Sequence, residues 1–202
     1  MHFSPAELTA LIIATCFAAG LNVYATVGTL GLLARAQVVE LPPALELLTH
    51  WPVIGASVAL YMLEFIADKI PAIDLVWNAL QTFVRVPVAA LLAYAATAQL
   101  SPSAQALTTA VGAIVALAAH GAKTAARVAV TPSPEPLSNI ALSLGEDAVA
   151  VFVTWFATRH PFWALAIVAA LVAIIVIAFR RVVRALRRVF QGASRQLHSS
   201  AP

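Results

Sequence analysis

The chain has 202 residues, of which 61% are hydrophobic and only 10% charged, with a net charge of +3 and a mean hydropathy of +0.90. Apolar runs of about 18 or more residues recur along it, which excludes an ordinary soluble domain and predicts membrane-spanning helices. The single cysteine, Cys16, lies within one of these runs, so no disulfide framework is expected. We therefore predict that residues 1–190 form one all-α, polytopic transmembrane domain.

The apolar runs predict a helix bundle of about six spans. In chain order these cover residues 8–34, 51–67, 73–98, 106–130, 137–158 and 162–179. The first run is longer than the core of a signal peptide and has no basic segment before it, so we interpret it as a retained span. A five-span arrangement stays open, because spans two and three carry several polar residues and either can be re-entrant.

The last segment, residues 180–202, is strongly basic. It holds half of the twelve lysines and arginines: Arg180, Arg181, Arg184, Arg187, Arg188 and Arg195. Apolar residues alternate with them at helical spacing, which predicts an amphipathic helix against anionic lipid headgroups. Such a cluster can also bind nucleic acid, but we expect no nucleic-acid partner, because a basic flank beside a span is what orients membrane proteins. With an even number of spans, it predicts that both termini are cytoplasmic.

Two short segments resemble each other weakly, AGLNVYATV at residues 19–27 and HGAKTAARV at residues 120–128. Two halves of three spans have opposite topologies, as in many transporters, which raises the hypothesis of two inverted three-helix repeats with broken helices. The predicted helix breaks are Gly20, Pro71, Pro87, Pro132, Pro134, Pro136 and Gly145. Breaks within a membrane survive only where protein or water satisfies the freed backbone groups, so breaks near charges indicate a cavity.

Polar residues in and beside spans two to five recur at spacings of three and four, which places them on one face of each helix. The predicted cavity residues are Glu64, Asp68, Lys69, Asp74, Asn78, Arg85, His120, Lys123, Arg127, Glu135, Asn139, Ser143, Glu146 and Asp147. A charge at the bilayer centre costs at least about 2.5–3.5 kcal/mol, so we expect these stripes to face the bundle interior.

Acids outnumber bases by six to four among these residues. We expect the bases to hold the cavity's geometry by pairing. The carboxylates without a basic partner, Glu64 and either Glu146 or Asp147, are expected to bind a cation or carry protons. The favoured interpretation is a small transporter or channel for a cation or protons. A homo-oligomer is expected, because six short spans enclose little.

Three alternatives stay open. The charges can form structural salt bridges in a structural or regulatory membrane protein, and Lys123 and Arg127 can handle a lipid-linked anion if they face a lateral opening. An enzyme with a metal on His120, Glu146 and Asp147 is the third, but there is no H-E-x-x-H spacing, G-x-S-x-G or P-loop. No cofactor or metal is expected.

Three segments resemble a family of small bacterial integral membrane proteins, catalogued as Domain of Unknown Function family 4126. They are AGLNVYATV, EFIADKIPAIDLVWNALQTFVRVPVAALLA and AHGAKTAARVAVTPSPEPLSNIALSLGEDAVAV, and the resemblance covers residues 4–190. It implies one polytopic membrane domain and, with the basic tail, a location in a bacterial inner membrane. It directs attention to Glu64, Asp68, Lys69, Pro71, Asp74, Arg85, Lys123, Ser133, Glu135, Asn139, Glu146 and Asp147. It implies no substrate.

Overall fold

The structure, a computed structural model, describes residues 3–130 and 136–199, without the side chains of residues 71, 72, 74, 75, 130, 136–139, 186 and 188–199. The helices are α1 (Pro5–Leu21), α2 (Val23–Arg35), a 3-10 helix (Pro43–Thr49), α3 (Trp51–Ala67), α4 (Pro71–Ala96), α5 (Pro102–Val130), α6 (Pro136–Arg159) and α7 (Pro161–Ser199). The described residues contain no strand. The predicted all-α class is therefore confirmed.

Four stretches of the described helices are long and apolar enough to cross a membrane. They are Val76–Ala96, Pro102–Ala129, Ile140–Arg159 and Pro161–Ala185. The 3-10 helix and α3 make a fifth candidate if they are taken as one span with a 64° bend. The chain is thus a membrane-helical protein with four or five candidate spans, and neither six spans nor inverted repeats are confirmed.

The first predicted span is broken. Helix α1 ends at Leu21 and α2 begins at Val23, while Asn22 between them is extended, with φ −150° and ψ 103°. The Asn22 side-chain oxygen accepts the backbone N–H of Ala25 at 2.9 Å and so caps α2. The break therefore lies two residues after the predicted position, Gly20, which is still helical.

Helix α1 lies in the middle of the bundle. Twelve of its 17 residues are buried, and it packs against α2, α4, α5, α6 and α7. A helix that is apolar on all sides is stable only when it is surrounded by protein or lipid. A Cβ at Gly20 would lie 2.3 Å from the carbonyl oxygen of Ala116 in α5, so glycine permits this close approach. The C-terminal end of α1 is consequently inside the protein.

The other predicted breaks have mixed outcomes. Pro71 and Pro136 begin α4 and α6, at the first helical position where the missing N–H needs no partner. Pro87 lies inside α4 and Gly145 inside α6, and both helices continue through them, so these two predictions are wrong. The prediction failed because neighbouring helices and local adjustments tolerate proline and glycine in membrane helices. Pro132 and Pro134 lie outside the described residues.

The basic tail continues α7 rather than forming a separate element. The helix runs without a break from Pro161 to Ser199, and its stretch Pro161–Ala185 is long and apolar enough to cross a membrane. The described arginines of this segment, Arg180, Arg181, Arg184 and Arg187, are exposed. The side chains of Arg188 and Arg195 lie outside the description. The segment is helical as far as Ser199, while its amphipathic character and its contact with lipid stay predictions.

Candidate functional site: a buried ion network at a broken helix

Charged side chains from four helices meet inside the bundle, as the stripes predicted. We call this set the ion network; it consists of Glu64 and Asp68 from the end of α3, Arg85 from α4, Lys123 and Arg127 from α5, and Glu146 from α6. The side chains of its three bases are 0% exposed and those of its acids at most 9%. Every member therefore depends on protein neighbours for the stabilisation that water would otherwise supply.

Glu64 joins two bases. Its Oε1 accepts a hydrogen bond from Arg85 Nη2 and another from Lys123 Nζ, the latter at 3.0 Å. The expectation that Glu64 has no basic partner is therefore wrong. The sequence could not show this pairing, because it depends on how α3, α4 and α5 pack together.

Arg127 joins the other two acids. Its Nη2 lies 2.8 Å from Asp68 Oδ2 and 2.8 Å from Glu146 Oε2. Lys123 Nζ lies 3.4 and 3.5 Å from the same two oxygens, and Ser143 donates to Asp68 Oδ2 at 3.1 Å. Arg127 also donates to the backbone carbonyl of Asp68 at 3.2 Å, which caps the end of α3. Acids and bases thus alternate through the network.

The end of α1 takes part in the network through its backbone. Lys123 Nζ donates to the Leu21 carbonyl at 3.3 Å, and Arg85 Nη1 to the Gly20 carbonyl at 3.5 Å. The last carbonyls of a helix lack intrahelical partners and carry partial negative charge. Buried bases satisfy these carbonyls, so the break at Asn22 and the network form one site.

His120 orients Arg85. Its Nδ1 lies 3.1 Å from Arg85 Nη1, and its Nε2 lies 2.7 Å from Thr82 Oγ1. Because a guanidinium only donates, Nδ1 must accept, which assigns the proton to Nε2 and makes the ring neutral. Thr82 in turn donates to the carbonyl of Asn78 at 3.3 Å. Both ring nitrogens are occupied, so His120 does not join Glu146 and Asp147 as the metal hypothesis requires.

Asp147 differs from the acids of the network, although it follows Glu146 directly. Its Oδ1 accepts from Asn22 Nδ2 at 2.8 Å and its Oδ2 from the hydroxyl of Tyr61 at 3.3 Å. No ion pair joins Asp147 to a described base. Asp147 is 5% exposed, so its carboxylate has only neutral partners in a largely buried setting.

The described charges do not balance. Glu64, Asp68, Glu146 and Asp147 are four acids, and they face Arg85, Lys123 and Arg127, which are three bases. With His120 neutral, the formal charge is −4 + 3 = −1. An uncompensated charge inside a bilayer costs at least about 2.5–3.5 kcal/mol, which a proton or a bound cation would relieve. Among the four described acids, Asp147 is the one without a described basic partner.

A groove opens beside Asp147 on the outside of the bundle. We call it the α3–α6 groove; it has a volume of about 540 Å³ and is lined by Tyr61, Leu144, Asp147, Ala148, Val151, Phe152 and Trp155. A smaller cavity of about 180 Å³ lies between α2, α3 and α6. Tyr61 and Val151 line both. Asp147 is thus reached from one face of the protein.

Several predicted residues lie elsewhere. Lys69 Nζ donates to the Phe65 carbonyl at 2.9 Å and lies over the Phe65 ring. It forms no ion pair with a described acid, contrary to the expectation that it pairs. Asn78 is buried beside the network in α4. Ser133, Glu135, and the side chains of Asp74 and Asn139 lie outside the described residues.

Sequence reasoning missed Asn22 and Tyr61, the two neighbours of Asp147. Asn22 is polar within an apolar run, and asparagine is among the strongest N-cap residues, so it could have predicted a helix start. Tyr61 carries no such signal, because a tyrosine in a membrane helix is an ordinary residue. Its contact with Asp147 spans 86 positions of sequence.

The fold and the site define a helical membrane protein with an ion network inside its bundle. The chain belongs to the family described as Domain of unknown function (DUF4126), whose model matches residues 9–181. No curated protein and no solved structure is significantly similar to it. Membership confirms the resemblance of the three segments and names no substrate.

Proposed function

We propose that the protein is a small membrane transporter or channel for protons or a cation, and that Asp147 binds the transported ion. The observation that carries this proposal is the contrast between the acids. The acids of the network form ion pairs with arginine or lysine, whereas the described hydrogen-bond partners of Asp147 are Asn22 and Tyr61, which are neutral. A basic partner already supplies a positive charge to a carboxylate, and a further cation would have to compete with it. Asp147 has no basic partner among the described residues, so a proton or a cation can bind it without displacing one.

The neighbours of Asp147 can hydrogen-bond both to its ionised and to its protonated form. As a carboxylate it accepts from Asn22 and Tyr61. As a carboxylic acid it has one O–H to donate, and the hydroxyl of Tyr61 can accept this proton while Asn22 continues to donate to the other oxygen. Both oxygens of Asp147 therefore keep the same hydrogen-bond partners in the ionised and the protonated form.

The broken helix links ion binding to the backbone. Asn22 donates to Asp147 and, with its side-chain oxygen, caps α2. Half-helices that end beside an ion site are a common device of transporters, in which helix termini supply partial charges. A change at Asp147 thus reaches both the start of α2 and the end of α1.

The direct test is charge movement in proteoliposomes that contain the purified protein. Protons, monovalent cations and divalent cations are raised in turn on one side, and wild type is compared with Asp147→Asn. The matched control is Glu46→Gln, an acid-to-amide change at an exposed residue of the 3-10 helix. We expect a current in wild type and in the control, and none in Asp147→Asn. A current that survives in a folded Asp147→Asn protein would overturn the proposal.

A structural role is the second candidate, because the network is sealed. Its side chains are at most 9% exposed, and each base has an acid partner. In this case the charges specify how the helices pack, although buried ion pairs seldom stabilise more than apolar packing does. Wild-type protein without any current, together with Asp147→Asn that changes only stability, would favour this role.

The burial of Lys123 and Arg127 argues against the lipid-linked anion alternative. Handling of a lipid-linked anion needs Lys123 and Arg127 to face a lateral opening, but both side chains are 0% exposed. We retain as proposals a bacterial inner-membrane location, a cytoplasmic tail against anionic lipid, and assembly as a homo-oligomer. The cytoplasmic position of the N-terminus further requires an even number of spans. The exposed apolar surface of α7 supports contacts with lipid or with a second copy.

A further inference from the structure

We infer that the α3–α6 groove binds a hydrophobic organic cation, with the positive charge against Asp147 and the apolar substituents against the aromatic walls. The class includes quaternary ammonium and phosphonium compounds. The inference deepens the proposed function, because it names a ligand class for the same carboxylate. It concerns binding alone, however, and does not require that anything crosses the membrane.

The walls of the groove match such a ligand in size and chemistry. Its volume of about 540 Å³ is that of a small-molecule site. Phe152 and Trp155 lie side by side on α6 with their ring centroids 5.9 Å apart, and Tyr61 faces them from α3. Aromatic ring faces attract cations, and most strongly organic cations that are weakly hydrated.

The charge of Asp147 makes the groove favour cations over anions. Asp147 is the only charged residue among the groove's seven lining residues, and its described partners are neutral. A cation in the groove would neutralise the excess negative charge of the site. An anion would meet that charge at a place where water cannot screen it.

The depth of Asp147 selects against other cations. It lies eleven residues after Pro136 and twelve before Arg159, the ends of α6, which correspond to roughly 16 and 18 Å along the helix. The amine of a lipid headgroup stays at the membrane surface and does not reach this depth. A small metal ion requires several oxygen ligands, and the single carboxylate of the groove would not replace the water that the ion loses. A cation shielded by apolar groups meets neither obstacle.

The test compares two ions of the same shape and opposite charge. Binding of tetraphenylphosphonium and of tetraphenylborate to the purified full-length protein in lipid nanodiscs is measured by equilibrium dialysis. The uptake of each ion by empty nanodiscs of the same lipid is subtracted, because both ions also dissolve in the bilayer. We expect the phosphonium to bind and the borate to bind at least about tenfold more weakly, since opposite unit charges a few ångströms apart in a partly buried site gain more than that factor. Equal binding of the two ions, or binding of neither, would overturn the inference.

Variants test the contributions of the carboxylate and of the aromatic walls to binding separately. Asp147→Asn should weaken phosphonium binding about tenfold, with Glu46→Gln as its control. Trp155→Ala should weaken it about threefold to tenfold, while Trp163→Ala, at an exposed tryptophan on α7, should leave it unchanged. If Asp147→Asn does not fold, the tryptophan pair decides. Unchanged binding in Trp155→Ala, or a groove that cross-linking finds covered by a second copy, would contradict the inference.

The result of the dialysis test can be distinguished from that of the proteoliposome test of the proposed function. Dialysis needs no ion gradient, so phosphonium binding that depends on Asp147, without any current in proteoliposomes, would retain the binding site and remove the transporter. A current that depends on Asp147, without phosphonium binding, would support the transporter and exclude the phosphonium site.

Discussion

Glu64→Gln tests how strongly the ion network holds the bundle together. Glu64 Oε1 receives both Arg85 and Lys123, and all three side chains are 0% exposed. The amide keeps the shape of the side chain but removes its charge. Lys123 retains Asp68 and Glu146 nearby, whereas Arg85 loses its carboxylate and keeps only His120 and the Gly20 carbonyl.

The expected loss of stability follows from the difference between Lys123, which keeps carboxylate partners, and Arg85, which keeps none among the described residues. Removing one partner of a buried ion pair costs about 3–5 kcal/mol, because the other charge stays buried without compensation. The neutral acceptors that Arg85 retains, and the carbonyl oxygen of the introduced amide, offset part of this cost. We therefore expect the free energy of unfolding to fall by about 3 kcal/mol, at the lower end of the range.

The assay is reversible unfolding of the protein in mixed micelles, followed by loss of helical signal. Glu46→Gln controls for the chemical change at an exposed site, and we expect it to leave stability unchanged. The double variant Glu64→Gln/Arg85→Gln should recover part of the loss, because it no longer buries an unpaired guanidinium. The reasoning would be refuted by a loss of stability below about 1 kcal/mol. It would also be refuted if the losses of the two single variants simply added up in the double variant.

Two further predictions concern the broken helix and the glycines. Asn22→Ala removes the cap of α2 and a donor to Asp147, so the free energy of unfolding should fall by about 2 kcal/mol in the same assay, and retention of wild-type stability would contradict the role of Asn22. Gly20→Ala should destabilise the protein, because the added Cβ would lie 2.3 Å from the carbonyl oxygen of Ala116. Gly145→Ala is its matched control: nothing lies within 4 Å of the added Cβ, and alanine favours a helix interior over glycine by about 0.5–1 kcal/mol, so this variant should be more stable. Equal effects of the two glycine changes would show that the close packing of α1 on α5 is wrong.

The polar stripes could be predicted because helical spacing is a local property. Glu64 with Asp68, and Lys123 with Arg127, are four apart on apolar helices, and such pairs must turn inward together. The partners could not be predicted, since which oxygen meets which base depends on the distances between helices. For the same reason, the sequence favoured Glu64 together with either Glu146 or Asp147 and could not show that Glu64 and Glu146 have basic partners.

Helix ends were predicted less well, and the reason differs from case to case. Hydropathy alone joined α1 and α2 into one span, because the polar cap residue Asn22 is a single position within a long apolar run. In water a proline breaks or kinks a helix and a glycine weakens it, but α4 continues through Pro87 and α6 through Gly145, as packed membrane helices can. Pro71 was a sound signal, because it follows the polar end of α3 and begins α4.

The central claim is that Asp147 is the acid that exchanges its charge. Infrared difference spectra of the reconstituted protein, recorded as pH is lowered and as cations are added, report protonated carboxyl groups directly. The difference between wild type and Asp147→Asn isolates the contribution of Asp147, and Glu46→Gln serves as the control. We predict a carboxyl band that appears with acid, is reduced by the transported cation where the ion is not a proton, and is missing in Asp147→Asn. Identical carboxyl bands in wild type and Asp147→Asn across the whole range would contradict the account.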